Sequence, residues 1–106
     1  HANVAQTYAA MAAFKGPRII LTHSPDIIPD LPFRAAAVFA GHTHCGQVTL
    51  PFIGQVTNVS RYGLRFNCGL IDDMGQKVVV GAGVGTSGLW VRYATPPDMW
   101  LVTLGQ

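Results

Sequence analysis

An α/β fold with a mixed sheet and a β-rich C-terminal part is what this sequence predicts, and three observations carry the prediction. An alanine-rich opening repeats its larger apolar residues at helical spacing. Two short apolar runs follow, each ending abruptly in turn residues. From Cys68 onward only strand-like segments and turns remain. A helix, two buried strands and then hairpins suit one half of a layered α/β sandwich.

Residues 2–14 place Val4, Tyr8 and Met11 on one helical face, with Asn3 as the expected cap and Gly16-Pro17 as the stop. Residues 18–22 (RIILT) form a short β-branched run bounded by turn signals, the mark of a buried strand. Residues 24–32 hold three prolines and two aspartates, which predicts a loop with at most one helical turn. Residues 35–40 (AAAVFA) read as a second buried strand, stopped by Gly41. A short strand over 47–50, a Pro-Gly loop and the segment 61–66 come next. Residues 68–71 and 77–80, joined by Asp72-Asp73-Met74-Gly75, predict a hairpin. Residues 81–88 are a glycine-rich loop, and 89–94 and 99–104 read as two further strands.

The chain has 106 residues, enough for one small domain, and is 49% hydrophobic with only 11% charged residues. A small domain has much surface for its volume, so this scarcity of charge predicts that part of the surface faces something other than water. The apolar runs are too short to cross a bilayer. A net charge of +2, with the basic residues scattered, leaves no electrostatic footprint for nucleic acid. Cys45 and Cys68 form no CxxC pair, and their spacing leaves open whether they bond.

The chemistry concentrates in three histidines. His23 follows the strand RIILT in LTHSPD, while His42 and His44 follow the strand AAAVFA in AGHTHCGQ. In open α/β sheets ligand sites collect beyond the carboxyl ends of strands. Two neighbouring parallel strands would therefore bring all three imidazoles to one edge. Imidazole nitrogen suits zinc, iron, nickel and manganese alike. Gly41 permits a sharp bend, so that histidines separated by one residue can serve different ions. Arg61, Tyr62 and Arg65 are candidates for lining a substrate cleft, because guanidinium forks match phosphate. Solvated loop charges explain the same residues equally well.

The segments ILTHSPDIIPDL and FAGHTHCGQV resemble the last two metal-binding motifs of calcineurin-like metallophosphoesterases. The likeness continues through PFIGQ, RYGLRF, GVGTSGL and VRYATPPDMWLVTL, and is closest to the bacterial subfamily of small phosphodiesterases. It implies that residues 1–106 are the C-terminal portion of a four-layer α/β/β/α sandwich. It implies two divalent ions (Mn, Fe, Zn or Ni) sharing a bridging hydroxide, His23 and His42 on one ion and His44 on the other. The implied reaction is hydrolysis of a phosphodiester or pyrophosphate of a small organic molecule. The family's DxH, GD and GNH motifs, and its proton-donating histidine, have no counterpart here. The resemblance thus assigns no catalytic acid or base to this chain and makes the chain inactive by itself. Some members of the subfamily act on a lipid-linked nucleotide, which leaves membrane association of the intact protein open. Apolar surface meant for the absent half would favour self-association.

The sequence departs from the family pattern at Cys45, where glycine is expected, at Trp90 in place of proline, and at Asp98 in place of glutamate. A packed, inert thiol is the simpler expectation for Cys45, and oxidation sensitivity the other. Gly83 to Gly88 matches GxGxxG, but a dinucleotide loop needs a following helix and an acidic residue about twenty positions on. The continuation LWVRYATPP is strand-like and proline-stopped, so the match is discounted. Ser87 lacks a G-x-S-x-G frame. Two alternatives remain: a catalytically inactive fragment, and a non-enzymatic β module holding metal on H-x-H. The second usually adds a glutamate, and this sequence contains none. Compartment is not legible.

Overall fold

In the computed structural model, which describes residues 3–105, one helix, two 3-10 helices and six strands make a mixed α/β unit. Helix α1 (Val4–Met11) begins where the Asn3 side chain accepts a hydrogen bond from the Gln6 amide at 3.0 Å. That bond satisfies one of the donors a helix start leaves unpaired. A start at Ala2 lies outside the described residues. The helix stops at Met11, short of the expected residue 14. Tyr8, its buried residue, meets Phe33 edge to face at 4.1 Å between ring centres.

The four strands that build the main sheet are β1 (Ile19–Leu21), β2 (Ala37–Ala40), β5 (Gly69–Asp73) and β6 (Gln76–Val80), in the order β1-β2-β6-β5. The first three run parallel and β5 runs antiparallel to β6. A smaller antiparallel pair joins β3 (Thr49–Leu50) to β4 (Gly54–Gln55). Register follows from the period-2 alternation of side chains. Ile20, Val38, Val78 and Ile71 lie in one row across the sheet, and Ala40 and Val80 in the next. These residues pack on Ile28, Leu31, Ala35 and the fully buried Phe66 to form the core. Buried Gln76 fastens this layer by accepting from the Ala35 amide at 2.7 Å.

The opposite face of the sheet carries Ile19, Leu21 and Leu70, all exposed, beside half-buried Phe39. Parallel sheets are ordinarily covered on both faces. This is where the apolar composition goes. No helix among the described residues is long and apolar enough to cross a membrane.

Three expectations need correction. The 24–32 segment folds as a 3-10 helix, Pro25–Asp30, with Ser24 capping it from its hydroxyl, so two tight turns stand where one was expected. Residues 89–94 make only an isolated bridge, Val48 to Tyr93, and 99–104 make no strand. Both have alternating or apolar side chains, but neither pairs with the outer strands of the main sheet, β1 and β5. The β-rich C-terminal part therefore reduces to the β5–β6 hairpin.

Candidate metal centre

The parallel pairing of β1 and β2 sends both chain segments out at the same end of the sheet. His23 leaves two residues beyond β1 and His42 two residues beyond β2. Their rings meet: His23 Nε2 lies 2.9 Å from His42 Nδ1, with ring centres 4.5 Å apart. Two imidazole nitrogens bound to one ion at roughly 2.0–2.1 Å stand about 2.9 to 3.4 Å apart. The observed separation fits that pairing. Without an ion the two nitrogens share one proton as a hydrogen bond.

His44 does not join them. Its Nδ1 lies 3.2 Å from the Ala82 carbonyl, in the loop that follows β6, and 3.2 Å from Arg92 Nη2. Among the described residues no three His, Cys, Asp or Glu side chains converge closely enough to hold an ion. His23 and His42 thus stand as a pair, with His44 beside the loop that follows β6. The reason lies in the backbone of the HTHC turn. His42, His44, Cys45 and Gln47 have φ of 69°, 49°, 51° and 49°, left-handed values that L-residues adopt only under constraint. His42 thereby reaches His23 while His44 reaches the Ala82 carbonyl.

Such strain persists only where surrounding contacts over-determine it, and it gathers at functional sites. The contacts here are specific. Thr43 Oγ1 donates to the Asn67 carbonyl at 2.7 Å, Gln55 Nε2 to the Cys45 carbonyl at 3.1 Å, and Thr57 Oγ1 to the Gly46 carbonyl at 2.9 Å. Gly46 has φ of 81°, and a Cβ there would overlap the Gln55 side chain, so only glycine fits. Cys45 is bonded to Cys68, with the Cα atoms 4.8 Å apart. This overturns the packed-thiol expectation. Closing 23 residues of separation removes loop entropy worth about 3 kcal/mol in the chain-entropy account.

Gln47, which sequence reading passed over, ties the site to the C-terminal segment. Its buried amide donates to the Leu89 and Val91 carbonyls at 2.8 and 3.0 Å and accepts from the Ser87 amide at 2.7 Å. Arg92 was also missed; the signal was an arginine isolated in the apolar run LWVRYA. Between these segments lies a half-open pocket of about 240 Å³, with His42, His44, Thr57, Val59, Ser87 and Leu89 on its walls. Ser87 presents its backbone to Gln47, in keeping with the absence of a nucleophile frame.

The predicted substrate residues separate. Arg61 sits 3.6 Å from Asp26, whose carboxylate also accepts from Ser60 Oγ at 2.7 Å, so Arg61 and its neighbour Tyr62 stand on the segment tied to the His23 loop. Arg65 is elsewhere. It pairs with Asp73 at 2.8 Å, beside Arg34 at 3.4 Å from the same carboxylate. Asp73 opposes Gln76 at the start of β6, while the histidines lie beyond the far end of β2, roughly 15–20 Å away at about 3.3 Å per residue. The H-x-H pair lies in a loop after a parallel strand, which is not the barrel setting of the β-module alternative.

No protein-family model matches the chain, and no solved structure does. Two curated proteins match. Over 87 residues, 81% of this chain, it is 30% identical to an uncharacterized metallophosphoesterase, YkuE, of Bacillus subtilis (strain 168). Over 87 residues, again 81% of the chain, it is 33% identical to an uncharacterized metallophosphoesterase of Aquifex aeolicus (strain VF5). The matches cover 30% and 32% of those proteins, so the chain spans about a third of the length of the curated relatives it matches. By these matches, and with its paired histidines at the carboxyl ends of parallel strands, the chain belongs to the metallophosphoesterase family.

Proposed function

We propose that the protein containing this chain hydrolyses a phosphodiester or pyrophosphate of a small organic molecule, with nucleic acid outside its substrate range. His23 and His42 hold one divalent ion and His44 a second. The observation that carries this reading is the 2.9 Å approach of His23 Nε2 to His42 Nδ1, a spacing suited to two nitrogens on one ion. Nitrogen donors accept manganese, iron, zinc or nickel. Two such ions, when bound, supply Lewis-acid activation of water and of the phosphoryl group.

The chain's own residues then do three things. His23, His42 and His44 orient the ions from two loops fixed by one sheet. The HTHC turn, stapled by the disulfide and Thr43, holds His42 against His23 and His44 against Ala82. Arg61 and Tyr62, on the His23 side, meet the substrate's phosphate, whereas Arg65 serves the fold through Asp73. Further ligands, and the acid that protonates the leaving group, come from the rest of a four-layer sandwich that covers the sheet's exposed apolar face. The isolated chain is inactive on this reading.

The test is metal content together with hydrolysis of a chromogenic phosphodiester by the full-length protein, with manganese added. His42→Ala is expected to lose one ion and at least about a hundredfold in turnover. Full metal content and full turnover in that variant would sink the reading.

A further inference from the structure

We propose that Arg92 is a positioning residue for His44, acting through the Ala82 carbonyl to keep the ring proton on Nδ1 and the Nε2 lone pair free. The proposal rests on the metal-ligand reading of His44 given above. Arg92 differs from Arg34, Arg61 and Arg65, each of which pairs with an aspartate. Among the described residues no carboxylate pairs with Arg92, and its guanidinium is spent on backbone carbonyls instead. Nε donates to Gly85 at 2.8 Å and Nη1 to Thr95 at 3.3 Å. Nη2 lies 2.6 Å from the Ala82 oxygen, 2.6 Å from that of Gly85 and 3.0 Å from that of Gly83.

Counting hydrogens favours one tautomer. Nη2 carries two, and the two carbonyls at 2.6 Å take them. His44 Nδ1, 3.2 Å from Nη2, is left at most a shared hydrogen. Nδ1 also faces the Ala82 oxygen at 3.2 Å. A bare lone pair there would confront an acceptor with no hydrogen between them. Nδ1 therefore carries the proton and donates it to Ala82. Ala82 is 3% exposed, so bulk water does not compete for that contact.

The geometry also explains why arginine stands here. Residues 81–85 (GAGVG) have no regular structure to hold the Ala82 carbonyl in place. Asp98 helps from the other side, accepting from the Gly83 amide at 2.9 Å. A planar fork with five donors can gather the Ala82, Gly83 and Gly85 carbonyls of such a loop, and a lysine cannot. Metal-binding histidines generally depend on a partner that fixes the second ring nitrogen, and losing it weakens metal affinity 10- to 100-fold.

The experiment is nitrogen-detected NMR of the histidine rings in the metal-free full-length protein, followed by manganese titration of the wild type, Arg92→Met and His44→Ala. The wild type is expected to show His44 protonated on Nδ1. Arg92→Met is expected to lose that bias and to bind the His44-dependent ion about 10- to 100-fold more weakly, with the other ion unchanged. A His44 ring protonated on Nε2 in the wild type overturns the proposal without any variant, whatever Arg92→Met does to folding. Unchanged tautomer and affinity in a folded Arg92→Met protein overturn it as well. If His44→Ala removes no ion from the wild type, the metal-ligand reading fails, and the ring spectrum still decides what Arg92 does.

Discussion

The four-stranded sheet and the C-terminal segment 81–105 are similarly apolar in sequence but are held by different forces. The sheet has a continuous backbone ladder and a core in which Val38, Phe66, Val78 and Val80 are fully buried. In 81–105 the large apolar side chains point outward: Trp90 is 95% exposed and Leu101 97%. That segment is held by Gln47, Arg92 and Asp98, whose side chains bond to its backbone. Apolar content alone does not decide burial. Where a segment has no ladder, polar side chains must satisfy its amides and carbonyls one by one.

The contrast can be broken most forcefully at Phe66. In the full-length protein Phe66→Ala should cost about 3–5 kcal/mol in denaturant unfolding, because it opens a cavity under every strand of the sheet. Sheet and C-terminal segment should be lost together. A cost below about 1 kcal/mol would mean that this core does not carry the fold.

Gln47→Ala should sharpen the distinction. It removes three hydrogen bonds and should cost about 1–3 kcal/mol. Amide hydrogen exchange should speed up at Ser87 and Tyr93 while the β2 and β6 amides keep their protection. Equal acceleration throughout would show that the two regions open as one unit.

The smallest effect belongs to the sheet's surface. The hydrogen bond from Lys77, with help from the Gly75 amide, holds the exposed Asp72 carboxyl below its ordinary value of 3.8. The ionised form is thus favoured in the folded state. Its contribution is present above that ordinary value and is lost as pH falls through the lowered one. Because the pair is in solvent, Asp72→Asn should leave stability near neutral pH almost unchanged and only flatten the acid limb of a urea-midpoint profile. A large loss at neutral pH would make this exposed pair a structural element.

Much of the sheet could be read in advance. RIILT and AAAVFA are short, β-branched or apolar, and fenced by turns, and β1 and β2 formed within them, in parallel. The hairpin about Met74-Gly75 and the Asn3 cap also formed where local chemistry placed them. The histidines were legible for a related reason, since a residue just past a parallel strand goes to the sheet's carboxyl edge. Partners separated by tens of residues were not legible. Cys45 finds Cys68, Gln47 finds Leu89 and Val91, and Arg92 finds Ala82 and His44. Nothing in a hydrophobic period or a turn signal encodes which loop closes over which. Residues 89–94 failed as a strand for the same reason: alternation predicts a competent strand but not which edge, if any, it pairs with.

By itself the sequence determined the class of fold, the strands that carry the histidines and the chemistry those rings can offer, because periodicity, caps and donor types are local properties. Tertiary structure alone decided that His23 and His42 meet while His44 turns toward Ala82, that Cys45 is bonded, and that Arg65 pairs with Asp73. These outcomes depend on left-handed turns, sheet order and loop closure. Each is set by contacts between residues far apart in the chain, whose free energy exists only once the sheet has brought them together.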